Sequence, residues 1–198
     1  MGEILQILTQ LNFNWSIIES AAVFFSILYV ILALKESIWC WGAAAISVIL
    51  YSYICYTAQL YPETGLQVFY LFMAFYGYYQ WNKNDSTLQI QQWTITKHLL
   101  ILLIGAILTF SMGFYFSLYT NAALPLVDSF TTVFSVFSTY MVTKKVLGNW
   151  LYWIVIDAVS VYLYFSRDLH LTSLLFMAYT IIAIFGYFSW LKRNNELV

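Results

Sequence analysis

The sequence predicts an all-α membrane protein of seven transmembrane helices, arranged three, one and three, with the two triplets as parallel repeats. Three features point to this. Of the 198 residues 62% are hydrophobic and only 9% charged, about a third of the ~25% usual in a soluble domain. The apolar residues lie in long runs separated by short polar breaks. Residues 19–84 also align on residues 128–193 without a gap. The 8 basic and 9 acidic side chains could not cover a soluble globule of this size. A net charge of −1 offers no footprint for nucleic-acid phosphates.

Residues 1–15 hold Ile4, Ile7, Leu8 and Leu11 at helical spacing, without a basic n-region or a small-residue cleavage site. They read as a short interfacial helix rather than a secretory signal. A bilayer crossing needs ~20 mostly apolar residues. The first span is expected at 16–34; only 20–34 is free of charge, so Glu19 belongs at the interface. Lys35-Glu36 ends it, and 37–62 contains no charge, which places a second span at 38–58. After Tyr61-Pro62-Glu63-Thr64-Gly65 comes a third at 65–82. The connection Asn82 to Lys97 is polar and is the longest linker; a fourth span follows at 98–118. Spans at 126–143, 149–166 and 170–191 are separated by Lys144-Lys145 and Ser166-Arg167-Asp168. The organisation expected is an N-terminal segment 1–15, a first triplet 16–84, a linker with connecting helix 85–125, a second triplet 126–193 and a tail 194–198.

Seven crossings put Lys35, Lys83, Lys97, Lys144, Lys145, Lys192 and Arg193 on one side and only Arg167 on the other. The positive-inside rule then places the N-terminus outside and the C-terminus in the cytoplasm.

The self-alignment has 14 identities in 66 positions, among them Ser26/Ser135, Lys35/Lys144, Trp41/Trp150, Tyr53/Tyr162 and Tyr70/Tyr179. It closes with Gly77-Tyr78-x-x-Trp81 on Gly186-Tyr187-x-x-Trp190. Chance would not concentrate identities on Trp, Gly and Tyr. Three spans plus one is an even number, so the second triplet re-enters the membrane in the same sense as the first. Parallel repeats of this kind typically hold a ligand near the midplane, at the interface between them. A duplicated scaffold without transport is the alternative.

In the sixth span Trp150, Trp153, Asp157, Ser160 and Tyr164 share one helical face. The matching stripe, Trp41, Ala44, Val48, Tyr51 and Cys55, is small and mostly apolar, as expected of a site for a lopsided ligand. Asp157 sits ~10 Å below the interface. An acid at that depth is a functional candidate by default, and no Lys or Arg lies equally deep. Its partner is water, a hydroxyl or amide donor, or a cationic ligand; the alternative is a protonated Asp bonded to Ser or Tyr. Gln67, Tyr70, Met73 and Gly77 share a face of the third span. A buried amide there can orient a polar heterocycle by donating and accepting at once. Tyr179, the match of Tyr70, joins the candidate set. Gly77 and Gly186 are expected to permit close packing. Trp15, Trp39, Trp81 and Trp190, at span ends, are expected in the interfacial belt. Trp150 and Trp153 are candidates for stacking on a flat cation.

His98 and His170 lie near span ends, and no zinc-peptidase, serine-hydrolase or nucleotide-binding motif is present. Cys40 and Cys55 form no metal-ligand spacing. No enzyme activity, metal or cofactor is expected.

Leu66-Gln67-x-x-Tyr70-x-x-Met73-x-x-Tyr76-Gly77-x-x-x-Trp81, Asn149-Trp150-x-x-Trp153-x-x-x-Asp157 and Gly186-Tyr187-x-x-Trp190 resemble the PnuC family of bacterial vitamin transporters, over residues 16–192. The resemblance implies a plan similar to SWEET-type sugar facilitators and a homotrimer in the bacterial inner membrane. It implies facilitated diffusion of nicotinamide riboside, with trapping by a cytoplasmic kinase. By the same resemblance Trp150 and Trp153 line the substrate cavity and Gln67 and Tyr70 hydrogen-bond the substrate. The family also has thiamine and riboflavin branches, and Asp157 suits the two cationic vitamins better than neutral riboflavin. A membrane receptor or scaffold subunit is the competing class.

Overall fold

Each apolar run read from the sequence as a membrane span corresponds to a helix. The computed structural model describes residues 17–57, 61–83, 89–120, 123–167 and 169–196; the expected N-terminal interfacial helix and Trp15 lie outside them. Among the described residues the helices are α1 (Ile17–Leu34), α2 (Cys40–Thr57), α3 (Tyr61–Trp81), α4 (Ile95–Tyr119), α5 (Pro125–Thr143), α6 (Asn149–Phe165) and α7 (His170–Glu196). Two boundaries differ from expectation by four residues or more. α3 begins at Tyr61 and runs through Pro62 and Glu63, because proline is tolerated in a first helical turn and an acid there suits the positive end of the helix dipole. α7 continues to Glu196, five residues beyond the expected span, and Lys192 approaches Glu196 at 3.9 Å across one turn.

α1, α2, α4 and the stretch Thr172–Glu196 of α7 are long and apolar enough to cross a membrane. α4 turns Leu99, Leu103, Ile107, Phe110 and Phe114 outward, a surface that lipid chains solvate without penalty. α5 is the opposite case. Nine of its residues are buried, Ser129, Ser135, Ser138, Thr139 and Thr143 among them. Small hydroxyl residues of this kind let helices approach closely; Ser135 and Thr143 donate to the Thr131 and Tyr140 carbonyls of their own helix.

α1 packs on α2 and α2 on α3; α5 packs on α6 and α6 on α7; the two groups meet where α1 touches α7 and α3 touches α5. Many contacts recur at an offset of 109 residues. α1 and α5 end in the same turn. Glu36 and Ser37 donate their N–H groups to Ala33 and Leu32, and Lys145 and Val146 donate theirs to Val142 and Met141. That pattern requires a left-handed residue just past the helix, here Glu36 (φ 55°) and Lys145 (φ 50°). A side chain in this conformation costs ~1–2 kcal/mol, and here the two strained residues bear opposite charges that pair with each other.

The indoles of Trp81 and Trp190 also act alike. Trp81 donates to the Val142 carbonyl at 3.3 Å, and Trp190 to Ala33 and Leu34 at 3.2 Å. These carbonyls lie at helix C-termini; Ala33 and Val142 already accept the turn N–H groups of Glu36 and Lys145, and the indoles take their remaining lone pairs. Trp190 is therefore fully buried (0% exposed) rather than interfacial, and Trp81 is half-buried with its donor turned inward, which corrects the belt expectation for both. Trp39 is 74% exposed, as a belt residue should be. The linker is pinned at Gln91, which accepts from Leu147 at 2.8 Å and donates to Lys145 at 2.9 Å.

Candidate functional site

A cavity of about 290 Å³ lies between the two helix groups. Its lining comes from α1–α3 on one side and α5–α7 on the other. Nine pairs of lining residues stand 109 positions apart: Ser26/Ser135, Val30/Thr139, Ala33/Val142, Trp41/Trp150, Ala44/Trp153, Val48/Asp157, Gln67/Phe176, Tyr70/Tyr179 and Ala74/Ala183. Tyr29, Ser47 and Tyr51 complete the wall from the first group alone. The cavity is matched in position and unmatched in chemistry. Trp153, Asp157 and Thr139 on one side face Ala44, Val48 and Val30 on the other, while Gln67 faces Phe176.

The floor is aromatic, toward the end that carries Lys145. Trp41 and Trp150 are the second residues of α2 and α6. Each meets the closing tryptophan of its own group edge to face, Trp41 on Trp81 at 84° and Trp150 on Trp190 at 89°, both with centroids 5.4 Å apart. Each also fills the notch left by a glycine. A Cβ on Gly77 would sit 2.3 Å from the Trp41 ring, and one on Gly186 2.6 Å from the Trp150 ring. The glycines thus admit an indole, which sharpens the packing role read from sequence. The Nε1 donors of Trp41 and Trp150 are buried without a hydrogen-bond partner among the described residues. An unmet buried donor costs ~1–3 kcal/mol.

Asp157 is eight residues into α6, hence ~12 Å from its start. It is 4% exposed, and the ion pairs among the described residues do not involve it. An isolated carboxylate in such surroundings is expensive. Tyr179 lies within electrostatic range of it. Above this level Ser26 hydrogen-bonds the Tyr179 hydroxyl across the groups, Tyr51 interacts with the same serine, and Ser135 interacts with Tyr70 in the matching place.

Of the residues predicted from sequence, Gln67, Tyr70, Trp150, Trp153, Asp157 and Tyr179 come together on the lining. Ser160 and Tyr164 do not. Ser160 is buried (3% exposed) off the lining, where its short side chain stops behind the wall, whereas Tyr51 at the matching position reaches the hollow. Tyr164 stacks on Phe176 at 5.0 Å and 11°, backing a lining ring rather than lining the cavity itself. Sequence reasoning passed over Ser26, Tyr29 and the lining role of Trp41 and Tyr51. The 109-residue match pointed to Trp41 and Tyr51, since both occupy the stripe equivalent to that of α6.

Residues 16–192 match the family model described as nicotinamide mononucleotide transporter. Over 213 residues the chain is 26% identical to the nicotinamide riboside transporter PnuC of Escherichia coli, covering 93% of this chain and 89% of that protein. It is 22% identical over 172 residues to the riboflavin/roseoflavin transporter RibM of Streptomyces davaonensis, covering 83% and 80% respectively. The fold superposes on the crystal structure of the vitamin B3 transporter PnuC with a TM-score of 0.75 at 24% identity, covering 98% of this chain and 88% of that one.

Proposed function

As this chain belongs to the nicotinamide mononucleotide transporter family of multi-pass membrane proteins, we propose that it carries nicotinamide riboside across the bacterial inner membrane by facilitated diffusion, with cytoplasmic phosphorylation trapping the product. The observation that carries this reading is the cavity: indoles at one end, an unpaired carboxylate ~10 Å further along α6, and hydroxyls beyond. A flat cation stacks on such rings and pairs with such an acid. The volume of about 290 Å³ suits one small ring with a sugar, near the lower limit for ligand pockets. Thiamine, a second cationic heteroaromatic, fits the same features. The likeness to RibM keeps riboflavin in view, but its tricyclic neutral ring is larger and leaves Asp157 unmatched.

The architecture we infer is two parallel three-helix repeats, 16–84 and 126–193, joined by α4 within 85–125, with segment 1–15 before them and tail 194–198 after. The paired contacts of Trp41 and Trp150, Trp81 and Trp190, and Glu36 and Lys145 support it. The basic loops put the C-terminus in the cytoplasm and the N-terminus outside, and the assembly we infer from family resemblance is a homotrimer. Substrate binding is assigned to Gln67, Tyr70, Trp150, Trp153, Asp157 and Tyr179, with Ser160 and Tyr164 supporting the wall from behind. Titration calorimetry on the purified protein with each of the three vitamins tests the reading. Heat is expected with nicotinamide riboside at the lowest concentration; no heat with any of them would overturn it.

A further inference from the structure

The cavity is polarised in hydrogen-bonding sense, and two serines set the polarity. A serine hydroxyl has one proton and two acceptor sites. The Ser26 proton goes to the Val23 carbonyl at 2.8 Å, so in the Ser26–Tyr179 bond the tyrosine must donate. Ser135 sends its proton to the Thr131 carbonyl in the same way, and Tyr70, the match of Tyr179, lines the cavity beside it. Tyr179 therefore holds its proton toward Ser26 and has only oxygen lone pairs left for the cavity, and Tyr70 stands in the matching place beside Ser135. Asp157, when ionised, is also an acceptor only. The Gln67 amide, which carries both donor and acceptor, lines the wall near Tyr70, and the indole donors of Trp41 and Trp150 are buried at the floor.

We propose that Ser26 and Ser135 are specificity-determining positioning residues. By fixing the proton direction of Tyr179 and Tyr70 they create a pair of phenol acceptors that selects ligands bearing several hydroxyl donors, the sugar of a riboside. This inference rests on the riboside reading above and adds an orientation. The ring lies against the indoles of Trp41 and Trp150, its nitrogen cation toward Asp157, and the sugar hydroxyls donate to the tyrosines at the Arg167 end. Loss of either serine hydroxyl frees a phenol to rotate and donate, which places a proton against the sugar's own donors.

The test is the ratio of affinities for nicotinamide riboside and N1-methylnicotinamide, which carries the same cationic ring without a sugar. Calorimetry on the intact protein in detergent, with a thermal melt alongside, supplies both affinities. The wild type should prefer the riboside by roughly a hundredfold or more, because sites built for hydroxyls strongly reject analogues lacking them. In Ser26→Ala with Ser135→Ala the ratio should fall at least about tenfold, and Ser26→Thr with Ser135→Thr should restore it. Should the alanine pair not fold, Tyr70→Phe with Tyr179→Phe removes the same acceptors and should lower the same ratio. An unchanged ratio in every variant, or equal losses for both ligands, would overturn the proposal while leaving the riboside reading intact. A wild type that binds neither pyridinium would overturn the riboside reading itself.

Discussion

Glu36 and Lys145 occupy the same position in the 109-residue alignment and bind each other, Nζ to Oε2, at 2.9 Å. Arg193 holds the other oxygen of Glu36 at 2.9 Å, and Lys145 lies 4.7 Å over the Trp81 ring. The two strained turns thus meet in a three-charge cluster that ties the helix groups together at one end of the cavity. Burial pushes the Glu36 carboxyl up, but hydrogen bonds and charge from Arg193 and Lys145 outweigh it and hold the group below its ordinary value. A carboxyl depressed in the folded state stabilises the fold above its unfolded pKa, and that contribution is lost as pH falls through the folded one.

Glu36→Gln should lower stability by ~1.5–3 kcal/mol, the range for a hydrogen bond to a charged group, and should flatten the acid side of the stability profile. The swapped pair, Glu36→Lys with Lys145→Glu, should recover part of the loss. Thermal melts from neutral pH downward check this. A Glu36→Gln protein with the wild-type acid profile would remove Glu36 from the cluster's energetics.

Gly77→Ala and Gly186→Ala place a methyl against Trp41 and Trp150 respectively. Overpacking of this kind costs ~1–3 kcal/mol. Because each indole is also cavity floor, both variants should lose ligand affinity as well as stability. Melting and calorimetry together check it; a stable Gly186→Ala protein of undiminished affinity would show that the Trp150 ring has room to yield.

Asp157→Asn keeps the shape and removes the charge. If the carboxylate meets the cationic ring, affinity should fall by ~1–3 kcal/mol, with a smaller effect on a neutral ligand. Equal affinity in both proteins would return Asp157 to a structural role.

Trp153→Ala should fold, because Ala44 already stands at the matching position against the same hollow. Losing the ring should cost ~1–2 kcal/mol of cation binding, with little change in melting temperature. A large drop in melting temperature would make Trp153 a packing residue.

Spans and helix faces were legible in the sequence because both follow from local spacing. Long uncharged runs marked the helices, and steps of three and four put Trp150, Trp153 and Asp157 on one side. Depth and partner were not legible. A tryptophan at a span end reads as a belt residue whether it is exposed, as Trp39 is, or crosses to the other helix group to bond a helix-end carbonyl, as Trp190 does. Ser160 and Tyr164 share the stripe of Asp157, yet where the hollow ends is set by Phe176 and Tyr51 on other helices. Ser26 meets the Tyr179 hydroxyl across 153 residues of sequence, a relationship no local pattern carries.

Counterflow in liposomes addresses the central claim most directly. Vesicles carrying the purified protein, loaded with unlabelled nicotinamide riboside and free of any ion gradient, are diluted into labelled riboside. Transient accumulation of label is expected, diminished in Asp157→Asn and absent from protein-free vesicles. No accumulation, or accumulation that strictly requires sodium or a proton gradient, would contradict passive passage through this cavity.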